Sequence, residues 1–421
     1  MPLTYSRPGQ VCAEHVFDVP LDHARPGGQR IEVFAREVIS PANAGKNVPA
    51  LLYLQGGPGC PADPPSSSGA WLDAALRDYR VILLDQRGTG RSTPATRQSL
   101  AGLSAAEQAA YLRHFRADAI VRDAELLREN LFGGTPWTLL GQSYGGFCAL
   151  TYLSLAPHGV NAVMMAGGLP SLTATAEEVY RVAYPRAIAA NERFFARYPA
   201  DRKLASQILE HLAVSDTRLP TGERLTPQRF QTLGTTFGAT STFDALHHVM
   251  ELAFTGRVLS DVFLHRVNAM VSLAERPLYA LMHETIYAQG HAPGWAAHRV
   301  RDEFGQFDPQ SPEAFFTTEM FYPWMFGQDP ALAPLRDCAD LLAADGTWPD
   351  LYNVDALAAN TVPVAAAVYA EDLYVDYGHA MQTAALVRNL RTWVTNEYAH
   401  DALKSQAHVF GRLQAMIAGE I

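Results

Sequence analysis

Over the first 170 positions the apolar residues fall into short, nearly continuous runs. Residues 48–54, 80–84, 137–140 and 161–166 have too few polar positions for a strand with one wet face, and they predict strands buried on both faces. Each is followed by a turn-rich segment. The four segments are Gln55-Gly56-Gly57-Pro58-Gly59, Asp85-Gln86-Arg87-Gly88-Thr89-Gly90-Arg91-Ser92, Gly141-Gln142-Ser143-Tyr144-Gly145-Gly146 and Gly167-Gly168-Leu169-Pro170. Residues 105–131 read as a helix with Asp118, Asp123 and Glu125 on its polar face, and 147–155 reads as another. Strand, glycine loop, helix and strand in alternation is the pattern of a parallel α/β sheet. Two β-type runs, 14–19 and 30–38, flank a turn-rich stretch at 22–28 and predict an antiparallel hairpin at the sheet edge.

The pattern changes after Pro170. From 171 to about 345 the periodicity is mostly helical and aromatics are frequent, with helical runs at 180–198, 243–254, 258–274 and 278–287. Residues 362–369 then return as a strand, followed by a helix at 379–387, a short strand at 392–395 and a closing helix at 407–418. The expected architecture is an α/β core, 1–170 and 346–421, interrupted by a helical cap, 171–345. A chain of 421 residues is too long for one ordinary hydrophobic core, which fits this division.

Charge and cysteine usage narrow the function classes. The net charge is −10 and no basic stripe occurs, so nucleic-acid binding is not expected. No apolar run approaches the roughly 18 residues of a membrane span. The first ten residues lack a signal-peptide pattern. Cys12, Cys60, Cys148 and Cys338 are scattered and read as free thiols, so the expected location is cytoplasmic.

The turn at Ser143 carries the chemistry. Gly-x-Ser-x-Gly between a buried strand and a helix is the pattern of a nucleophile elbow, in which glycines make room for a strained turn that exposes the serine hydroxyl. A serine needs a base within hydrogen-bond reach, and that base needs an orienting carboxylate. In the chain order of this elbow the acid follows a late strand and the histidine follows the next one. Asp372 and His400 occupy those places, with Asp376 and Glu371 as alternative acids and His408 as the alternative base. The oxyanion donors are expected to be the amides of Tyr144 and Gly57, with Gly56 as the alternative to Gly57; Pro58 has no N–H to offer. The Asp85–Ser92 loop lacks the rest of a dinucleotide fingerprint and reads as structural, with Asp85 and Arg87 bracing neighbouring loops. His247-His248 and His283-Glu284 have no metal-site spacing and read as packing or surface residues.

Taken together, the Gln55–Gly59 loop, the Asp85–Ser92 loop and the Gly141–Gly146 elbow resemble the prolyl aminopeptidase (proline iminopeptidase) family of α/β-hydrolases, in its branch with a larger cap. The chain departs from many relatives at Gln55, where they have histidine, and at Tyr144, where smaller members often have tryptophan. The resemblance implies release of an N-terminal residue, typically proline, from short peptides with a free N-terminus. It implies no cofactor and no metal. It also implies cap carboxylates that pair with the substrate's ammonium or iminium group. Glu284 and Glu319 are the candidates. Tyr287, Phe321, Tyr322 and Trp324 either wall a proline pocket or form the core of the cap.

Overall fold

The computed structural model describes residues 3–311, 313 and 315–421. Its centre is a nine-stranded sheet in the order β1-β2-β3-β5-β4-β6-β7-β10-β11. β1 (Leu3–Arg7), β2 (Gln10–Pro20) and β3 (Arg30–Ile39) run antiparallel, and β3 pairs antiparallel with β5 (Arg80–Leu84). From β5 onward all pairs are parallel: β4 (Ala50–Leu54), β6 (Trp137–Gln142), β7 (Val160–Ala166), β10 (Val364–Tyr369) and β11 (Leu390–Thr395). The sheet is mostly parallel, as the sequence pattern predicts. The expected edge hairpin, however, lies one strand in from the edge, because β1 pairs with β2 in the register Tyr5↔Cys12.

The central strands are apolar throughout because both of their faces are covered. Leu52, Leu54 and Leu139 point into one core with the helices Ala117–Phe132 and Tyr144–Leu155; Leu51, Tyr53 and Leu140 point into another with the helices Ala70–Ala75 and Ala407–Ala418. The strand order reverses direction at β4, which places β5 on one side of it and β6 on the other. A crevice opens beyond the carboxyl ends of strands at such a switch point. The pairing Leu54↔Gly141 brings the Gln55–Gly59 loop and the Ser143 turn side by side there.

Two helical expectations change. Residues 105–131 form two helices, Ala105–Leu112 and Ala117–Phe132, rather than one. The break between them frees the His114 carbonyl, which accepts a 2.8 Å hydrogen bond from Arg87 Nη1. Asp123 is not on a solvated face: it is buried and paired with Arg87 and His23. Within the insertion, Gly256 (φ +64) turns the chain between two short paired strands, β8 (Phe254–Thr255) and β9 (Val258–Leu259), where the periodicity suggested helix.

The described part of the segment between β7 and β10 otherwise consists of helices and irregular loops, with Ala176–Arg197, Pro199–Val214, Thr242–Met250, Asp261–Val271 and Arg336–Ala344 as its main helices. It is tied to the core beside the late loops. Arg186 pairs with Asp376 at 2.6 Å, Tyr374 donates its hydroxyl to the Thr235 carbonyl, and the His400 amide donates to the Gly238 carbonyl. No helix among the described residues is long and apolar enough to cross a membrane.

Candidate active site

Ser143 sits at the end of β6 with φ 53 and ψ −124, a conformation a side-chain-bearing residue adopts only under constraint. The constraint is close packing on three sides. A Cβ on Gly141 would lie 2.5 Å from the Gly145 carbonyl oxygen, one on Gly145 1.9 Å from that of Leu54, and one on Gly146 2.1 Å from that of Gly168. Only glycine fits at these three positions. Gly56 is also close, since its Cβ would stand 3.0 Å from that of Ser143. The glycine loop is held from behind by Asp85, whose carboxylate accepts the amides of Ala62 and Arg91. Arg87 braces a second set of loops through the carbonyls of Pro20, Leu21 and His114.

His400 and Asp372 meet as the chain order predicts. His400 Nδ1 is 2.7 Å from Asp372 Oδ2, and both residues are buried. The other carboxylate oxygen, Oδ1, accepts the amides of Tyr374 and Val375, which fixes the acid in the loop after β10. Burial works against a charged imidazole. The adjoining Asp372 carboxylate, helped by Glu319 and Asp401, outweighs it and holds the His400 pKa above its ordinary value. The ring is also steered sterically: Tyr374 meets it edge-on at 4.8 Å, and a Cβ on Gly167 would lie 2.9 Å from Nδ1.

The alternative triad members are engaged elsewhere. Asp376 caps the helix Tyr377–Leu386 through the His379 amide and pairs with Arg186. Glu371 is exposed, with Arg193 at 3.7 Å. His408 is exposed on the last helix, tilted against Tyr398.

Ser143 and His400 line one cavity of about 300 Å³, together with Gly56, Gly57, Cys60, Arg276, Tyr279, Glu319 and Tyr374. Tyr144 opens the elbow helix directly after Ser143, with its side chain buried and outside the lining of this cavity. Of the cap residues singled out in the sequence, Glu319 alone belongs to this lining. Burial pushes its carboxyl up to about 7, against the Tyr279 hydroxyl that donates to it and the nearby His400. His283 Nε2 lies 3.9 Å away on a ring that burial keeps neutral, its pKa pushed down to about 3. Glu284 is turned away. Its two oxygens accept the amides of Ala296 and Ala297 at 2.9 Å, which closes the first turn of the helix Ala296–Arg301. Tyr322 is also outside the lining, its hydroxyl 3.0 Å from that of the buried Tyr184. Tyr287 packs against Phe147, Tyr180 and His283. Phe321 and Trp324 line a smaller apolar cavity that shares Arg276 and Tyr279 with the Ser143 cavity.

Periodicity and motif spacing missed Tyr279, Arg276, Tyr374 and Gly167. The available signals were weak. Tyr279 lies four residues before His283, on the apolar side of a short helix, and Gly167 looked like an ordinary strand terminator.

The sheet, its switch point and the elbow define an α/β hydrolase. Residues 49–236 match the family model described as alpha/beta hydrolase fold. A proline iminopeptidase of Aeromonas sobria is 47% identical over 405 residues, 96% of this chain and 95% of the relative. The proline iminopeptidase aneH of Aspergillus aculeatus is 34% identical over 96% of this chain and 93% of its own length. The chain belongs to the proline iminopeptidase family.

Proposed function

We propose that this protein is a serine exopeptidase that releases N-terminal proline from short peptides through an acyl-enzyme. One observation carries the reading: a single cavity holds an elbow serine, a histidine backed by a buried aspartate, and a buried carboxylate, Glu319, placed to receive a free amine.

His400 Nε2 takes the proton of the Ser143 hydroxyl as its oxygen attacks the scissile carbonyl, while Asp372 holds Nδ1–H and stabilises the imidazolium that forms. The amides of Gly57 and Tyr144 receive the oxyanion. The imidazolium protonates the departing amine, and water then releases proline by the same path in reverse. Glu319 ionises as the substrate's ammonium group approaches, so recognition of the amine and loss of the carboxyl proton are one event. Tyr279, backed edge-on by Phe321 at 4.8 Å, supplies flat apolar surface beside it for the pyrrolidine ring. The four free cysteines support a reducing, cytoplasmic setting.

The test is hydrolysis of proline 4-nitroanilide against its N-acetylated form, with Ser143→Ala as control. Turnover of the free amine alone, lost in folded Ser143→Ala, is expected. Equal turnover of both, or turnover of 4-nitrophenyl acetate alone, would assign the protein instead as an esterase or amidase of small acyl compounds.

A further inference from the structure

The helix Thr242–Met250 ends in two adjacent histidines, followed by a glutamate. His247 Nε2 lies 3.5 Å from Glu251 Oε1, and His248 Nδ1 lies 2.9 Å from Glu251 Oε2. One ligand atom from each of the three residues falls within 4.8 Å of the others. A tetrahedral zinc ion with ligands at about 2.0–2.2 Å places those ligands about 3.3–3.6 Å apart, so small side-chain adjustments complete the fit.

A second observation points the same way. His247 Nδ1 is 2.9 Å from the carboxylate of Asp201, a buried residue of the neighbouring helix Pro199–Val214. Donation of Nδ1–H to that carboxylate fixes the tautomer and leaves the Nε2 lone pair facing Glu251. A carboxylate behind a histidine is the usual outer support of a metal ligand. The Tyr198 ring stacks on the imidazole at 4.0 Å with planes 7° apart, which sets the ring's orientation. The C-terminal end of a helix carries partial negative charge and favours a cation. The other nearby acid, Asp244, is occupied by Tyr198 and Arg197.

We propose that His247, His248 and Glu251 form a binding site for one divalent transition-metal ion, zinc first, with solvent completing the coordination and Asp201 as positioning residue. Two nitrogens and one carboxylate oxygen suit zinc better than calcium or magnesium, which prefer all-oxygen sites. The site lies outside the catalytic cavity, and its occupation would tighten the end of the helix Thr242–Met250 against the Asp201 carboxylate that already holds His247.

The experiment is titration of chelator-treated full-length protein with zinc chloride in competition with a chromophoric chelator, alongside His248→Ala, Glu251→Gln and Asp201→Asn. Circular dichroism checks the fold of each variant. His248 and Glu251 are exposed, so their variants keep the fold. The expected result is one zinc equivalent in the parent that is missing in His248→Ala, and about 10–100-fold weaker in Asp201→Asn. Zinc should also raise the melting temperature of the parent but not of His248→Ala, with proline 4-nitroanilide turnover of the metal-free proteins unchanged. An equal number of zinc equivalents in parent and His248→Ala, zero included, overturns the proposal.

Discussion

Asp372 and Asp376 lie four residues apart in one loop, yet their surroundings give them different work. Asp372 faces His400, whereas Asp376 starts a helix and holds Arg186. Asp372→Asn should lower kcat about 10⁴-fold with the fold intact, whereas Asp376→Asn should cost about 1 kcal/mol of stability or less and keep turnover. The pH profile separates them further. A base must be neutral, and His400 holds its proton above the ordinary imidazole pKa. The acid limb of kcat/KM should therefore lie above that value in the parent. It should shift to lower pH in Asp372→Asn, where only the weaker pull of Glu319 and Asp401 still opposes burial; a limb that stays in place would count against Asp372 as the partner. Glu319 makes a separate prediction. Its carboxyl is half-protonated near pH 7, so binding a free-amine substrate there should release protons. Calorimetry of Ser143→Ala in two buffers of different ionisation enthalpy reads that release, and Ser143→Ala/Glu319→Gln should lack it. In the otherwise active enzyme, Glu319→Gln should raise KM for proline 4-nitroanilide by about 10²-fold, the lower range of losing one partner of a buried charge pair.

At the scale of elements, the elbow is the part of the site most legible in sequence, because its constraint is local. The glycines at 141, 145 and 146 are needed by backbone approaches of 1.9–2.5 Å to a would-be Cβ, and such needs leave a fixed spacing in the chain. Gly145→Ala should fail to accumulate as soluble protein, since the blocking atom is the Leu54 carbonyl oxygen and not a movable side chain. The sheet core was legible for the same kind of reason: strands with two covered faces must be apolar at every position. The fate of Glu284 was not legible. A glutamate among aromatics looks alike whether it meets a ligand or a helix terminus, and the amides that take it come from residues twelve and thirteen positions later. Asp123 was hidden similarly, since a helix face reads as solvated until a partner such as Arg87, distant in sequence, covers it.

At the scale of the whole molecule, the Arg87–Asp123 pair joins the hairpin turn, the helix break and the Ala117–Phe132 helix around a fully buried guanidinium. Asp123→Ala strands that charge and should lower unfolding free energy by about 3–5 kcal/mol, measured by denaturant titration. A second long-range seam joins the segment between β7 and β10 to the loops around Asp372 and His400. The Gly238 carbonyl accepts the His400 amide, Thr240 donates to Asp401, and Thr235 accepts the Tyr374 hydroxyl. Residues 235–240 thus form part of the scaffold that holds His400 in place. The consequence is for modularity. A chimera in which the segment between β7 and β10 were replaced to change its specificity would inherit a histidine loop with its moorings cut, unless residues 235–240 were carried across the graft.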